Sequence, residues 1–344
     1  MLDIERVAKD MEARTFSFER YCFFGVHFKV GFDLASGQDI YRRTYSHLRV
    51  DSEEDGSDSC VVFKVLSKGL QDGNPAVIVE NAPVKHLIDV FKGGSNKYRY
   101  KIQEPAIAKT LSYEVADSFL SSNPILLVGE RVCLIRDLEM WRAYAESIIF
   151  NTILCQIPNH YLLHAGVVSW QDKGVILCGE ADSGKTTLTL GLVQKGFKFL
   201  SDEVAFIDLS KGRVVPFPRA VGVREKTIGM FPEFERSVQM QPTKSLSGDD
   251  KWLVDVDEIF PRCLGDACKI NFIAFLEGFS ESTELTSIPR SEALFKCMGF
   301  SHTAEDDPVQ TMLNTVEGVQ NAKCYRLCSR NVGETVAKVA SLVK

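Results

Sequence analysis

The sequence has no long hydrophobic run and no concentration of basic charge. No stretch approaches the roughly 20 apolar residues that a membrane-spanning helix needs. The first residues also lack the basic and apolar regions of a signal peptide. Lys and Arg are scattered along a chain whose formal net charge is −6. We therefore expect a cytoplasmic protein whose partner is neither a membrane nor a nucleic acid.

Cysteine spacing of the kind that marks a metal or redox site is also absent. The chain contains 10 cysteines, but no C-x-x-C pair and no paired histidine ligands. Most of the cysteines lie in apolar surroundings, which is typical of small buried side chains in a reducing compartment. The sequence therefore predicts no structural zinc site.

One stretch, residues 175–187, carries the strongest functional signal. An apolar run ends at Gly179, and Gly179-x4-Gly184-Lys185-Thr186 has the spacing of a phosphate-binding loop. The glycines permit a tight turn from strand to helix, in which backbone N–H groups face one anion. We expect Lys185 to reach the β- and γ-phosphates and the Thr186 hydroxyl to ligate Mg²⁺.

The context of this loop supports a nucleotide site. The apolar residues that follow it have helical spacing and stop at Gly196, so the loop lies between an apolar strand and a helix. Ser183 and Thr187 complete the predicted nucleotide contacts. The alternative is a strand-turn-helix with a structural role only.

Short alternating segments dominate the first part of the chain and predict a β-rich N-terminal domain over residues 1–135. These segments lie at residues 22–30, 60–66 and 76–80, with an acidic loop at 51–58 and turns at 72–75 and 92–96. From Asp137, a plausible N-cap, apolar residues recur at helical spacing. We take this helix as the entry to a nucleotide-binding catalytic domain over residues 136–344.

Strands and helices follow one another in the second part, as in an α/β fold. The predicted strands are residues 160–170, 175–178, 197–201, 204–208, 254–260, 269–276 and 324–328, and a final helix is lined by Val332, Val336, Val339 and Val343.

Two acidic positions compete for the role of a metal-binding or catalytic carboxylate. The helix after the loop carries the chain away from the phosphates, so residues 197–201 should return in the direction of the loop strand and end at Asp202. Ligands of open α/β sheets bind at such strand ends. If residues 204–208 continue outward, Asp208 lies about 20 Å from Asp202. We therefore favour Asp202 and Glu203 over Asp208, with an exposed acidic turn as the alternative for the pair.

Further candidates lie on either side of this acidic pair. His164 precedes the loop strand by one hairpin, which could bring it beside the loop, although a histidine between apolar residues is more often a core residue. Arg219, which follows Pro216 and Pro218, and Arg224 are candidate clamps for negative charge.

Four segments occur in a fixed order: His164-Ala-Gly, Gly179-Glu-x-x-Ser-Gly-Lys-Thr, Leu200-Ser-Asp-Glu and Pro216-x-Pro-Arg. This series resembles the catalytic domain of HPr kinase/phosphorylase and its relatives over residues 160–226. The resemblance includes HPr-kinase-like enzymes of ribosomal peptide biosynthesis, such as lasso-peptide precursor kinases. It implies an α/β fold, α+β overall, in which a P-loop-containing domain related to phosphoenolpyruvate carboxykinase follows the β-rich domain.

The resemblance also implies roles for individual residues, with ATP and Mg²⁺ as cofactors. Asp202 is then the base towards a serine hydroxyl, and Glu203 supports the metal together with Thr186. His164 then lies near the transferred phosphate, and the resemblance also supports Arg219 as a catalytic residue.

Two differences from bacterial HPr kinases bear on the acceptor. Glu203 stands where those enzymes carry a second Asp, and their Glu-x-Arg-Gly signature has no clear counterpart. We therefore expect the acceptor to be a serine of a peptide or protein, such as a lasso-type precursor peptide. The alternatives are an HPr kinase/phosphorylase proper, a small-molecule kinase or carboxykinase-like enzyme, and a non-catalytic nucleotide-sensing module. HPr-type kinases form hexamers, so the resemblance is compatible with a homo-oligomer.

Overall fold

The computed structural model shows a mixed α/β chain that divides into two compact units. One unit comprises residues 1–157 and 243–250, and the other comprises residues 158–242 and 251–344. The structure describes residues 14–50, 60–67, 75–82, 101–103, 125–128, 132–135, 138, 141–234, 242–244, 250–301 and 308–344. The assignment of separate functions to residues 1–135 and 136–344 stays a prediction.

Seven described strands of the first unit form one sheet in the order β1-β2-β3-β4-β7-β6-β5. The strands are β1 (Ser17–Phe23), β2 (Val26–Phe32), β3 (Val61–Leu66), β4 (Ala76–Glu80), β5 (Lys101–Gln103), β6 (Ile125–Val128) and β7 (Val132–Ile135). This part also contains helix α1 (Ala35–Thr44), a 3₁₀ turn (Ser46–Leu48) and helix α2 (Trp141–Leu154). Helix α2 lies in the first of the two compact units.

The first two strands form an antiparallel hairpin. Its turn contains Phe24 and Gly25, whose φ angles are 52° and 86°. The alternating segment at residues 22–30 is β-structure on both sides of this turn, which the sequence pattern did not reveal. Alternation continues across a tight two-residue turn, so the pattern of apolar residues does not reveal the turn.

An eight-stranded sheet forms the frame of the second unit. Its strands are β8 (His160–Trp170), β9 (Lys173–Gly179), β10 (Lys198–Ser201), β11 (Val204–Asp208), β12 (Arg213–Val215), β16 (Cys268–Phe279), β17 (Glu284–Ser287) and β18 (Lys323–Ser329). Strand β14 (Thr243–Lys244) belongs to the first unit, whereas β13 (Val221–Val223) and, from Lys251 on, β15 (Asp250–Val254) belong to the second. Its helices are α3 (Lys185–Gln194), α4 (Glu225–Ile228), α5 (Val256–Ile259), α6 (Arg290–Gly299), α7 (Pro308–Val319) and α8 (Val332–Val343), with a 3₁₀ turn at Pro232–Phe234.

Strand β8 organises the pairing that positions the candidate site. Residues 167–169 pair with both β9 and β10, so these two strands lie on opposite edges of β8. Strand β11 pairs with β8 through His160–His164. Both β10 and β11 are antiparallel to β8, so they follow each other in one direction and are interrupted only by Asp202 and Glu203.

Further pairings close a circuit of strands. Strand β9 is parallel to β16, β16 is antiparallel to β12, and β12 is antiparallel to β11. The circuit therefore runs β8, β9, β16, β12, β11 and back to β8. Successive residues of the central strands point to different cores: Val168, Val175 and Leu177 belong to a core with residues of α3 and α8. Val167 and Ile176 belong to the other core.

The prediction of a strand over residues 254–260 is wrong beyond Val254. Helix α5 occupies Val256–Ile259, and the Asp255 side chain caps it by accepting a hydrogen bond from the Asp257 N–H at 3.0 Å. An aspartate that caps the helix N-terminus in this way favours a helix over an extended chain.

The other predicted strands of the second part occur at or within a few residues of their predicted bounds. The predicted acidic loop at 51–58, the turn at 92–96, most of the turn at 72–75 and Asp137 lie outside the described residues. None of the helices in the described part of the chain combines the length and apolarity needed to cross a bilayer.

Gly166 of β8 packs against Thr189 of α3. A Cβ at this position would collide with Oγ1 of Thr189 and lie 3.7 Å from Oδ1 of Asp202. We expect Gly166→Ala to lower the free energy of unfolding by about 1–3 kcal/mol, because Thr189 is fully buried and has little room to move. Denaturant unfolding measures the change.

Two further variants test this explanation. Gly299→Ala is the matched control, because no atom lies within 4 Å of its added Cβ, and it should change stability little. Adding Thr189→Ala to Gly166→Ala should restore part of the loss. A Gly166→Ala protein as stable as the unmodified one would show that the packing of α3 on β8 is looser than described.

Candidate active site

The predicted phosphate-binding loop, residues 179–186, connects the end of β9 to the start of α3. Two residues of the loop have positive φ angles, 63° at Asp182 and 92° at Gly184. Glycine fits the second position because it adopts such angles without steric cost. A Cβ on Gly179 would lie 2.5 Å from Oγ of Ser183, so the first glycine of the motif makes room for the loop's own serine.

Lys185 is buried at the base of the loop. Its Nζ donates hydrogen bonds to the carbonyl oxygens of Gly179 at 2.5 Å and of Glu180 at 2.9 Å. Burial lowers the pKa of Lys185, because removal from water disfavours the charged form. The ammonium is thus held by two backbone carbonyls of the loop.

Asp202 lies beside this loop, at the interruption between β10 and β11. The Thr186 hydroxyl donates a hydrogen bond of 2.8 Å to Oδ2 of Asp202. The carboxylate is 5% exposed, and its Oδ1 has no hydrogen-bond partner among the described residues. The arrangement therefore holds one carboxylate oxygen in place and leaves the other as a buried acceptor.

The environment of Asp202 makes its carboxylate a stronger base than an ordinary one. Burial raises the pKa of Asp202 from 3.8 to about 6, and the negative charge of Glu203 acts in the same direction. The hydrogen bond from Thr186 and the charges of Lys251 and Lys185 oppose this shift. A carboxylate with a pKa of about 6 is ionised at neutral pH and accepts a proton more readily than a surface aspartate.

Glu203 is adjacent in sequence to Asp202 but has a different environment. One of its oxygens, Oε2, lies 3.2 Å from a guanidinium nitrogen of Arg219, and Oε1 lies 3.8 Å from Nζ of Lys251. Its side chain is 37% exposed. Glu203 therefore joins two cations at the more open side of the site, whereas Asp202 faces the loop.

His164, on β8, lies beside the backbone of Glu203. The next residue, Ala165, pairs with Cys178 of the loop strand, and the ring Nδ1 of His164 is 3.1 Å from the Glu203 carbonyl oxygen. The His164 backbone N–H donates to the Phe300 carbonyl at 2.8 Å. The hairpin thus brings His164 to the backbone of the acidic pair, as its sequence position allows.

The remaining candidates are distributed between the loop and the far end of the sheet. Arg224 forms an ion pair with Asp182 of the loop, and the Thr187 and Thr227 hydroxyls lie 3.0 Å apart. Asp208 pairs with His160 at the opposite end of β11, and its carboxylate accepts hydrogen bonds from Ser210 and Lys211. Asp208 is thus held by its own turn, away from the loop.

Sequence reasoning did not single out Lys251, Gly166 or Thr189. Lys251 reaches Glu203 only through the pairing of β15 with β13, and no motif marks it. Oγ1 of Thr189 is buried and has no hydrogen-bond partner among the described residues, and Gly166 provides the space that it occupies. The one available signal was the position of Thr189 one helical turn after Thr186.

The donor set is compatible with a magnesium ion that binds together with a nucleotide. No group of three or more His, Cys, Asp or Glu side chains in the described residues could hold a metal ion by itself. Mg²⁺ commonly uses one or two protein ligands together with waters and substrate phosphates. The Thr186 hydroxyl keeps its lone pairs while it donates to Asp202, and the Glu203 carboxylate lies at the more open side of the site.

Comparison with known proteins gives little independent information. No family model matches the chain, and no curated protein matches it. Among solved structures, the HPr(Ser) kinase/phosphatase from Coxiella burnetii is 13% identical, with 53% of this chain and 96% of that chain covered and a TM-score of 0.26. At this identity and TM-score, nothing about the function of this chain follows from the similarity.

The raised pKa of Asp202 predicts that its charge destabilises the fold. Between pH 3.8 and about 6 the folded carboxyl binds more protons than the unfolded one, so stability falls as the pH rises through this range. We expect Asp202→Asn to raise the free energy of unfolding at pH 7 by about 1–3 kcal/mol, and to have little effect below pH 4. Denaturant unfolding across this pH range measures the difference.

Asp208→Asn is the matched control for this prediction. Burial acts to raise the pKa of Asp208, but the hydrogen bonds from Ser210 and Lys211 outweigh it, so the pKa is lowered. Asp208→Asn should therefore destabilise the fold at pH 7, with the opposite sign to Asp202→Asn. Equal signs for the two variants would contradict the assigned environment of Asp202.

Proposed function

We propose that this chain is an ATP- and Mg²⁺-dependent phosphotransferase that phosphorylates a serine hydroxyl of a peptide or protein. The observation that carries the proposal is the hydrogen bond from Thr186 to Asp202, which joins a phosphate-binding loop to a buried carboxylate. The second oxygen of that carboxylate has no hydrogen-bond partner among the described residues. A phosphoryl donor site and a proton acceptor thus lie next to each other.

The residues of the loop would bind the nucleotide. Lys185 is held at the carbonyls of Gly179 and Glu180 and would reach from there to the phosphates bound by the loop's N–H groups. Thr186 and Glu203 would hold Mg²⁺, which supplies neutralisation of the β- and γ-phosphate charge. The positive end of α3 lies at the same point and favours the same anion.

Asp202 would act on the acceptor. As the acceptor oxygen bonds to the γ-phosphorus and the bond to the bridging β–γ oxygen breaks, the hydroxyl proton passes to Oδ1 of Asp202. The pKa of about 6 matches this role, because the carboxylate is ionised at neutral pH and still takes up a proton. His164 and Arg219 both contact Glu203 of the acidic pair. The His164 ring lies at the Glu203 carbonyl oxygen, and Arg219 forms an ion pair with the Glu203 carboxylate.

The acceptor class rests on the series of sequence segments described above, in which Asp202 follows Leu200-Ser. That series resembles kinases that act on serine in proteins and precursor peptides. A serine-bearing peptide is therefore the substrate that we propose. HPr itself is a less favoured acceptor, because bacterial HPr kinases carry Asp at the position of Glu203 and their Glu-x-Arg-Gly signature has no clear counterpart here.

Lys185→Ala tests the loop. We expect ATP affinity to fall at least about tenfold, because a charge-assisted contact to phosphate contributes roughly 1.5–3 kcal/mol. Isothermal titration calorimetry with ATP and Mg²⁺ measures the change. Lys195→Ala is the matched control: it removes the same charge at the exposed end of helix α3 and should leave affinity unchanged. Equal affinities for all three proteins would exclude the loop as the phosphate site.

Asp202→Asn tests the assignment of the base. A library of serine-containing peptides is incubated with ATP and Mg²⁺, and phosphopeptides are identified by mass spectrometry. We expect phosphoserine with the unmodified protein, its rate falling as the pH drops below about 6 because Asp202 becomes protonated. Asp202→Asn should bind ATP but give no product. Persistent transfer by this variant would reject Asp202 as the base, and ATP binding without any product would favour a nucleotide sensor.

A further inference from the structure

Lys251 enters the site from a strand that belongs to no nucleotide-binding motif. It lies in β15, whose following residues Trp252–Val254 pair with β13. Its aliphatic stem lies over Gly222 of β13, where an added Cβ would be 2.9 Å from Cδ of Lys251. Glycine at this position therefore keeps the path of the stem open, and the ammonium group reaches Glu203.

Lys251 shares the Glu203 carboxylate with Arg219. The distances are 3.8 Å from Nζ of Lys251 to Oε1 and 3.2 Å from Arg219 to Oε2. Both cations are partly buried, with 26% and 18% of their side chains exposed. One carboxylate next to Asp202 thus brings two cations into the site, and cations at this position complement an anion.

The positions of Lys251 and Arg219 relative to Asp202 and the loop indicate what these cations could bind. The loop supplies Lys185 on one side of Asp202, and Lys251 and Arg219 approach through Glu203, the residue that follows Asp202 in the chain. The positive charge of Lys251 also opposes the rise in the pKa of Asp202. Cations beside the path of a transferred phosphoryl group stabilise the negative charge on its oxygens in the transition state.

We propose that Lys251 is a phosphate-binding residue that contacts the terminal phosphate of a bound nucleoside triphosphate. This inference rests on the proposed function, since it presupposes that the loop binds the nucleotide. It adds a residue from outside the loop and assigns it to one particular phosphate. Because a nucleoside diphosphate lacks that phosphate, Lys251 should distinguish ATP from ADP.

The test compares ATP and ADP binding to the full chain by isothermal titration calorimetry in the presence of Mg²⁺. Lys251→Met removes the charge and keeps a long stem over Gly222. We expect ATP affinity to fall about tenfold, the loss of one charge-assisted contact, and ADP affinity to change less than about twofold. Lys251→Arg keeps the charge and should restore most of the ATP affinity.

Lys226→Met is the matched control, because it removes the same charge from an exposed position on α4 and should change neither affinity. Thermal unfolding of each variant shows that the fold is intact. Unchanged ATP affinity in Lys251→Met, or equal losses for ATP and ADP, would overturn the assignment of Lys251 and leave the loop as the nucleotide site. An unmodified protein that binds neither nucleotide would overturn the proposed function itself.

Discussion

The hydrogen bond between Thr186 and Asp202 is the contact on which the arrangement of the site depends. It fixes the first turn of α3 to the interruption between β10 and β11. Strand pairing in the sheet does not connect these two parts of the chain. It also determines the chemistry, because one oxygen of Asp202 is held and the other is left as a buried acceptor. Burial of a carboxylate with one unsatisfied oxygen costs stability, and such local costs are typical of functional sites.

The architecture around this contact explains why two neighbouring acidic residues behave differently. Strand pairing places Asp202 and Glu203 at one interruption on the edge of β8. Asp202 faces α3 and is buried, and Glu203 faces Arg219 and Lys251 and is more open. A single break in an otherwise continuous edge thus provides two carboxylates with different proton affinities.

Three features could be predicted from the sequence: the loop, the strands around it, and the closeness of Asp202 to the loop. They depend on local spacing and on the direction of successive strands. Glycine positions and the Lys-Thr pair lie within one short segment, and strand direction separated Asp202 from Asp208. The hairpin turn at Phe24 and Gly25 and helix α5 were missed, because apolar alternation does not mark a turn and Asp255 was not considered as a cap. Lys251 could not be predicted at all, since its position depends on the pairing of β15 with β13.

The interruption at Asp202 and Glu203 also restricts how the chain can change in length. Leu200, before the interruption, and Ala205 and Ile207, after it, belong to one core, although the strand pattern breaks between them. Insertion or deletion of one residue here would turn every following side chain of β11 to the other face of the sheet. Point substitutions at the acidic pair are therefore compatible with the fold, whereas single-residue insertions and deletions are not. Related sequences should differ at this position by substitution alone.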